Sequence, residues 1–283
     1  MEGGEVRLEA ACLTDTGMLR EENEDSAWAQ LYTPAERDPL GLFIVCDGMG
    51  GHMGGKYASY WAVEAIKQEF AELFVAKDPR ATLILSSEDI KRAQAGLLVT
   101  PQPPPAPDLE QLTQSAVQKA NHVVHQYAQH KPATAANAGT TVTMAVVSGA
   151  QAVIANAGDS RTYLLRNHEL RQLSRDHSLV AHLVAEGVIL PTDLYTHPQR
   201  NVIYRYLGEQ GDVLPDLYRQ ELQPGDYLLL CSDGLWEMLR SEEQTVYLVE
   251  SAPDLPAACQ ALVDAANKAG GEDNISVVIV KVS

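Results

Sequence analysis

The chain has 283 residues, with 38 Asp and Glu against 21 Lys and Arg and a formal charge of −17. That balance argues against nucleic acid or an anionic membrane surface as the main partner, because both need a basic footprint. An apolar fraction of 45% is what a globular core requires, so the acidity is not a sign of disorder. In chain order, runs rich in Val, Ile, Tyr and Thr and bounded by turn residues predict strands at 6–12, 27–32 and 42–46. Helical periodicity follows at 56–74 and 109–128. Further strands are expected at 140–147, 152–155 and 162–165, then a helix at 179–186, a strand at 227–230, helices at 242–249 and 256–268, and a last strand at 275–280. The tight connections within 140–165 suit antiparallel pairing, and the strand blocks are too short to be separate domains. Shared antiparallel sheets with helices packed outside them, a layered α+β fold, are therefore expected.

One segment breaks the rhythm. Residues 78–108 run through Leu83-Ile84-Leu85 into a tract that holds five of the chain's 15 prolines between Pro101 and Pro107. Such a tract is neither helix nor central strand, and the segment reads as an extended loop linking two long helices, or as a docking element. No apolar run approaches the roughly 18 residues of a membrane helix. Met1-Glu2-Gly3-Gly4-Glu5 lacks the basic start and apolar stretch of a signal peptide, so a cytoplasmic protein is expected. Cys12, Cys46, Cys231 and Cys259 are widely spaced, and Cys46 and Cys231 read as buried thiols rather than a disulfide framework.

The aspartates carry the chemistry. Asp47 follows Leu42-Phe-Ile-Val-Cys46, Asp159 follows Val153-Ile-Ala-Asn-Ala-Gly158, and Asp233 follows Tyr227-Leu-Leu-Leu-Cys-Ser232. Asp273 lies just ahead of the strand at 275–280. Each carboxylate sits at the end of an apolar strand with a glycine close by, and strands sharing a sheet would gather these ends at one rim. Carboxylates so gathered repel one another and take up protons unless a divalent metal removes the penalty. Oxygen-only ligands suit Mg²⁺, Mn²⁺ or Ca²⁺. An isolated Asp-Gly after a strand is most often a turn, so the spacing by itself leaves both a metal site and coincidental turns open. Arg20-Glu21-Glu22-Asn23-Glu24-Asp25 adds a planar guanidinium suited to phosphate and a further hard ligand in Asp25.

Six motifs in order resemble the metal-dependent Ser/Thr protein phosphatases, the PPM or type 2C family, in its bacterial form. They are Arg20-x-x-Asn23-Glu24-Asp25, Val45-Cys46-Asp47-Gly48-Met49-Gly50-Gly51-His52, Gly139-Thr140-Thr141, Gly158-Asp159-Ser160-Arg161, Cys231-Ser232-Asp233-Gly234-Leu235 and Glu272-Asp273-Asn274. The resemblance covers residues 6–282 and implies a single catalytic domain over 1–283, with the Pro-rich insert at about 78–108 and a flap at about 174–207. It implies a central sandwich of two antiparallel sheets flanked by helices on both sides, in four αββα layers. It also implies a pair of Mn²⁺ or Mg²⁺ ions bridged by Asp47, with the Gly48 carbonyl, Asp233 and Asp273 as ligands. Asp25 stands on the second ion's side, with Glu24 its close neighbour, and Asp159 with Asp233 at a third, weaker site. It further implies that Arg20 binds the substrate phosphate and that a metal-bridging water attacks phosphorus directly, so that phosphoserine or phosphothreonine in a protein is hydrolysed to free Ser or Thr and inorganic phosphate.

Phosphoproteins and an opposing Ser/Thr kinase are the expected partners, with the chain as a monomer that binds neither nucleic acid nor membrane. A catalytically silent phosphoprotein-binding relative, or a hydrolase of another phosphate ester, is the alternative. Met49 stands where eukaryotic relatives carry a proposed acid histidine, which leaves the proton donor open among water, His52, His177 and His197.

Overall fold

The computed structural model describes residues 6–33, 38–50, 53–75, 87–95, 107–131 and 135–283. The first sheet is built from β1 (Leu8–Asp15), β8 (Arg161–Arg166), β9 (Glu169–Gln172), β11 (Tyr227–Cys231) and β12 (Ile275–Val282), in the order β1-β12-β11-β8-β9. The second uses β2 (Ser26–Tyr32), β3 (Leu40–Cys46), β6 (Val142–Ser148), β7 (Gln151–Ala157) and β10 (Asp216–Glu221), in the order β10-β7-β6-β3-β2. Each sheet has five strands and every pairing within it is antiparallel. A short pair, β4 (Gly48–Met49) with β5 (Gly139–Thr140), continues from the end of β3.

Strand alternation separates three buried layers. Phe43, Val45, Ala145, Ile154, Leu228, Leu230, Val278 and Val280 fill the space between the sheets. Leu42, Ile44 and Met144 turn the other way, against α1 (Met53–Phe70) and α3 (Leu109–His130). Leu229, Val277 and Ile279 face α6 (Glu242–Glu250) and α7 (Leu255–Ala269) on the far side. The central strands are thus apolar on both faces, and the expected αββα arrangement is the one observed.

The described helices also include α2 (Ser87–Gln94), α4 (Leu179–Ala185) and α5 (Asp233–Trp236). Helix α2 corrects the expectation of a wholly extended 78–108. Its last turn carries Lys91 and Arg92, charges that suit the helix dipole. The proline tract at 101–106 lies outside the described residues. Asp108 ends the segment by capping α3, accepting from the Glu110 and Gln111 amides at 3.0 and 3.4 Å. Strands β9 and β10 were not foreseen, and all four cysteines are free.

Candidate metal centre

The registers bring the aspartates to one rim. Ser26 pairs with Cys46, Val45 with Thr143, Val142 with Ala157, Arg161 with Cys231 and Asp15 with Ile275. The start of β2, the end of β3, the turn between β7 and β8, the end of β11 and the start of β12 therefore lie side by side. These carry Asp25, Asp47, Asp159, Asp233 and Asp273 in turn.

The backbone around each carboxylate is fixed by polar side chains from other motifs. Thr140 Oγ1 and the Thr141 amide donate to the Asp47 carbonyl at 2.8 and 2.9 Å, while the Asp47 amide donates to Thr141 Oγ1 at 3.0 Å. Thr141 Oγ1 also meets Ser160 Oγ at 2.7 Å, tying the Asp47 turn to the one that carries Asp159. Asp159 is held from behind as well: its carbonyl accepts from Trp236 Nε1 at 3.0 Å, and that indole is covered by the Arg161 guanidinium at 3.5 Å. Arg161 is itself paired with buried Asp176 at 2.6 Å. Asn274 Nδ2 donates to the carbonyls of Thr16 and Glu22 at 2.8 and 2.9 Å, and Asn274 Oδ1 accepts from the Glu24 amide at 2.8 Å. One side chain thereby fastens the loop of Arg20 and Asp25 beside Asp273. Glycines permit the close approach: a Cβ on Gly48 would stand 2.4 Å from the Glu24 carbonyl oxygen.

Electrostatically the rim is short of positive charge. Burial, reinforced by Asp25, Asp233, Asp159 and Asp273, pushes Asp47 well above the usual carboxylate range. Asp233 is driven up in the same way by burial, Asp159 and Asp273. Burial raises Asp25 to about 6 and Asp159 to about 7. Asp25 Oδ2 accepts from Ser232 Oγ at 2.7 Å, but Asp25 Oδ1 and Asp233 Oδ1 are buried without a donor. Orphaned carboxylate oxygens facing like charges are what a hard cation satisfies, so the residues present fit a divalent ion. Among the described residues no three His, Cys, Asp or Glu side chains already close round one point, in keeping with mutual repulsion.

Arg20 lies at the edge, with Nη2 donating to Asp273 Oδ2 at 2.6 Å; the two side chains are 54% and 34% exposed. Asp273, Asp233 and Asp47 hold its charge against the cost of burial. Arg20, Asp233 and Asp273 border a cleft, and residues of the expected flap, Arg200 and Asn201, close its other side. The structure thus brings together Arg20, Asp25, Asp47, Gly48, Asp159, Asp233 and Asp273. His52 lies outside the described residues. His177 is buried and structural: its Nδ1 accepts from the Gly158 amide at 3.2 Å, its Nε2 meets Asp216 at 3.2 Å, and burial with Arg205 nearby lowers its pKa. His197 Nδ1 accepts from the Gln199 amide at 3.1 Å in a local turn. Thr140, Thr141 and Asn274 lie within the sequence motifs, but nothing in the sequence marks them as the groups that hold the carboxylates. Only Asn274 adjoins a carboxylate in sequence, directly after Asp273, whereas Thr140 and Thr141 lie 93 and 94 positions from Asp47.

Clustered carboxylates beside one guanidinium define the equipment of a metal-dependent phosphoester hydrolase. The pattern of the protein phosphatase 2C family matches residues 23–266, and the chain belongs to that family. It is 35% identical to a serine/threonine phosphatase, Stp, of Listeria monocytogenes, over 97% of this chain and 96% of that one. It is 32% identical to the protein phosphatase PhpP of Streptococcus pneumoniae, with 98% of each covered. The structure resembles the crystal structure of the catalytic domain of the phosphatase PstP in complex with 2 manganese ions, with a TM-score of 0.75 at 30% identity, covering 98% of this chain and 99% of that one. No described helix is long and apolar enough to cross a membrane.

Proposed function

We propose that this chain is a metal-dependent protein phosphatase that removes phosphate from phosphoserine and phosphothreonine. The observation that carries the reading is the convergence of five aspartates on one rim, two of them with a buried oxygen lacking a donor, beside Arg20. Asp47, the Gly48 carbonyl, Asp233 and Asp273 would hold a pair of Mn²⁺ or Mg²⁺ ions with Asp25 on one side, and Asp159 with Asp233 would serve a third, weaker ion. Bound ions would neutralise the rim and activate water for attack at phosphorus.

The chain's own groups do the rest. Arg20 exchanges Asp273 for two equatorial oxygens of the substrate phosphate and absorbs charge that builds on them. Asn274 keeps the Arg20 loop at a fixed distance from Asp273, and Thr140 and Thr141 keep Asp47 from turning away. Burial raises the thiols of Cys12, Cys46, Cys231 and Cys259, which disfavours a cysteine nucleophile.

The reading extends to one catalytic domain with residues 174–207 as its flap, working as a cytoplasmic monomer against a Ser/Thr kinase. The charge of −17 supports the exclusion of nucleic acid and anionic membrane. The test is phosphate release from a phosphothreonine peptide in Mn²⁺. Activity should vanish in excess EDTA, return with added metal, and fall by roughly a thousandfold or more in Asp47→Asn. Activity that persists in EDTA refutes the reading.

A further inference from the structure

Immediately before Arg20 the chain exposes two large apolar side chains, Met18 at 66% and Leu19 at 70%. Neither belongs to any of the three buried clusters. Their exposure is not looseness, because the loop is held from several directions. The Gly17 amide donates to Asp15 Oδ1 and the Met18 amide to the Gly271 carbonyl, both at 2.8 Å. Asn274 grips the carbonyls of Thr16 and Glu22 on either side. Gly17 has φ +77°, and a Cβ there would lie 2.2 Å from the Asp273 carbonyl oxygen, so the turn is pressed onto the segment that carries Asp273. Met18 Cγ would lie 2.7 Å from a Cβ on Gly271, and Met238 Sδ 3.5 Å from one on the adjacent Gly270. Met238 lines the cleft with Arg20 and Asp273. Met18 and Met238 thus both stand beside the Gly270–Gly271 turn, next to the cleft that Arg20 borders.

We propose that Met18 and Leu19 form a specificity surface that takes an aliphatic side chain immediately flanking the phosphoserine or phosphothreonine of a protein substrate. The inference rests on the reading of Arg20 as the phosphate-binding group. In an extended peptide a phosphoresidue at Arg20 carries its neighbours about 3.5 Å away per residue, so a flanking side chain comes close to the residues that directly precede Arg20. Exposed Glu21 and Glu22 follow Arg20 and disfavour an acidic flank, which leaves apolar contact as the attraction on offer. The unbranched thioether of Met18 adapts to aliphatic groups of different shape. The loop is ordered beforehand, so little entropy is lost when a peptide settles on it.

The test compares kcat/KM for two phosphothreonine peptides that differ only in carrying Leu or Gly at the flanking positions, with p-nitrophenyl phosphate as a substrate that has no flank. The wild type should prefer the Leu peptide by roughly tenfold, the low end for an aliphatic group in an open site. In Leu19→Ser and in Met18→Ser/Leu19→Ser the preference should approach unity while p-nitrophenyl phosphate turnover holds. Equal use of both peptides by the wild type, or a preference that survives Leu19→Ser, overturns the proposal. Where a serine variant loses the small-ester activity by misfolding, Leu19→Ala decides by the same two readings. Arg20→Ala separates the premises. Unchanged turnover of all three substrates there refutes the phosphate-site reading, whereas a loss there without any Leu preference in the wild type refutes the surface alone.

Discussion

Arg20 and Asp273 stand 2.6 Å apart, yet the proposed function gives each a different partner in turnover. A cation at Asp273 would compete with Arg20 for the carboxylate and release the guanidinium toward phosphate, so metal and substrate should assist one another. Arg20→Ala should accordingly raise KM for a phosphopeptide by about tenfold, the loss of a charge-assisted pair partly open to solvent, with a smaller drop in kcat. Steady-state kinetics at saturating Mn²⁺ reads this directly, and an unchanged KM contradicts it. Asp47, Asp159, Asp233 and Asp273 were legible in the sequence, because each follows or precedes a short apolar run beside glycine. The groups that aim them were not. Asn274 acts on Thr16 and Glu22, more than 250 positions away, and Ser232 on Asp25, 207 positions away. Spacing along a chain reveals which strand end a residue occupies, but not which distant carbonyl its amide will meet.

At the scale of elements, the site depends on how closely helix starts and strand ends can approach. Gly234, in the first turn of α5, has no room for a side chain: a Cβ would stand 2.1 Å from the Asn274 carbonyl oxygen. Because that atom is backbone, Gly234→Ala must push α5 away from the entry to β12 and part Asp233 from Asp273. A destabilisation of about 3 kcal/mol is expected, at the upper end for overpacking, with metal affinity falling further than stability alone explains. Thermal unfolding and Mn²⁺ binding of the variant measure the two separately. The eight strands foreseen from the sequence all exist, displaced by a few residues at their ends, since apolar runs with β-branched residues survive any local ambiguity. Besides the two-residue β4, the strands that escaped notice are β9 and β10, which read Glu-Leu-Arg-Gln and Asp-Leu-Tyr-Arg-Gln-Glu at sheet edges, where one side faces water and the hydrophobic signal is weak. Helix α2 was hidden by the prolines that follow it, although its own eight residues contain none.

Across the whole molecule the excess of acid divides between rim and surface, and the rim portion makes stability depend on pH and metal together. Asp25 and Asp159 titrate at about 6 and 7 in the folded state, above the roughly 3.9 of an unfolded aspartate. A carboxylate raised by folding contributes stability fully below its unfolded pKa and loses it as pH rises through the folded value. The metal-free protein should therefore melt at a higher temperature near pH 5.5 than near pH 7.5. His177 works in the opposite sense, since its lowered pKa makes acid protonation costly, but it is one group against Asp25, Asp47, Asp159 and Asp233. Saturating Mn²⁺ should erase the advantage at low pH by stabilising the ionised rim, and melting curves at the two pH values with and without metal show whether it does.

The central claim is that these carboxylates form a divalent-metal site built around Asp47. Calorimetric titration of the metal-free chain with Mn²⁺ at neutral pH tests it without recourse to any substrate. The wild type should bind a pair of ions tightly per chain, and Asp47→Asn should lose that tight binding with the fold retained by circular dichroism. Absence of tight binding in the wild type, or binding that Asp47→Asn leaves unchanged, would contradict it.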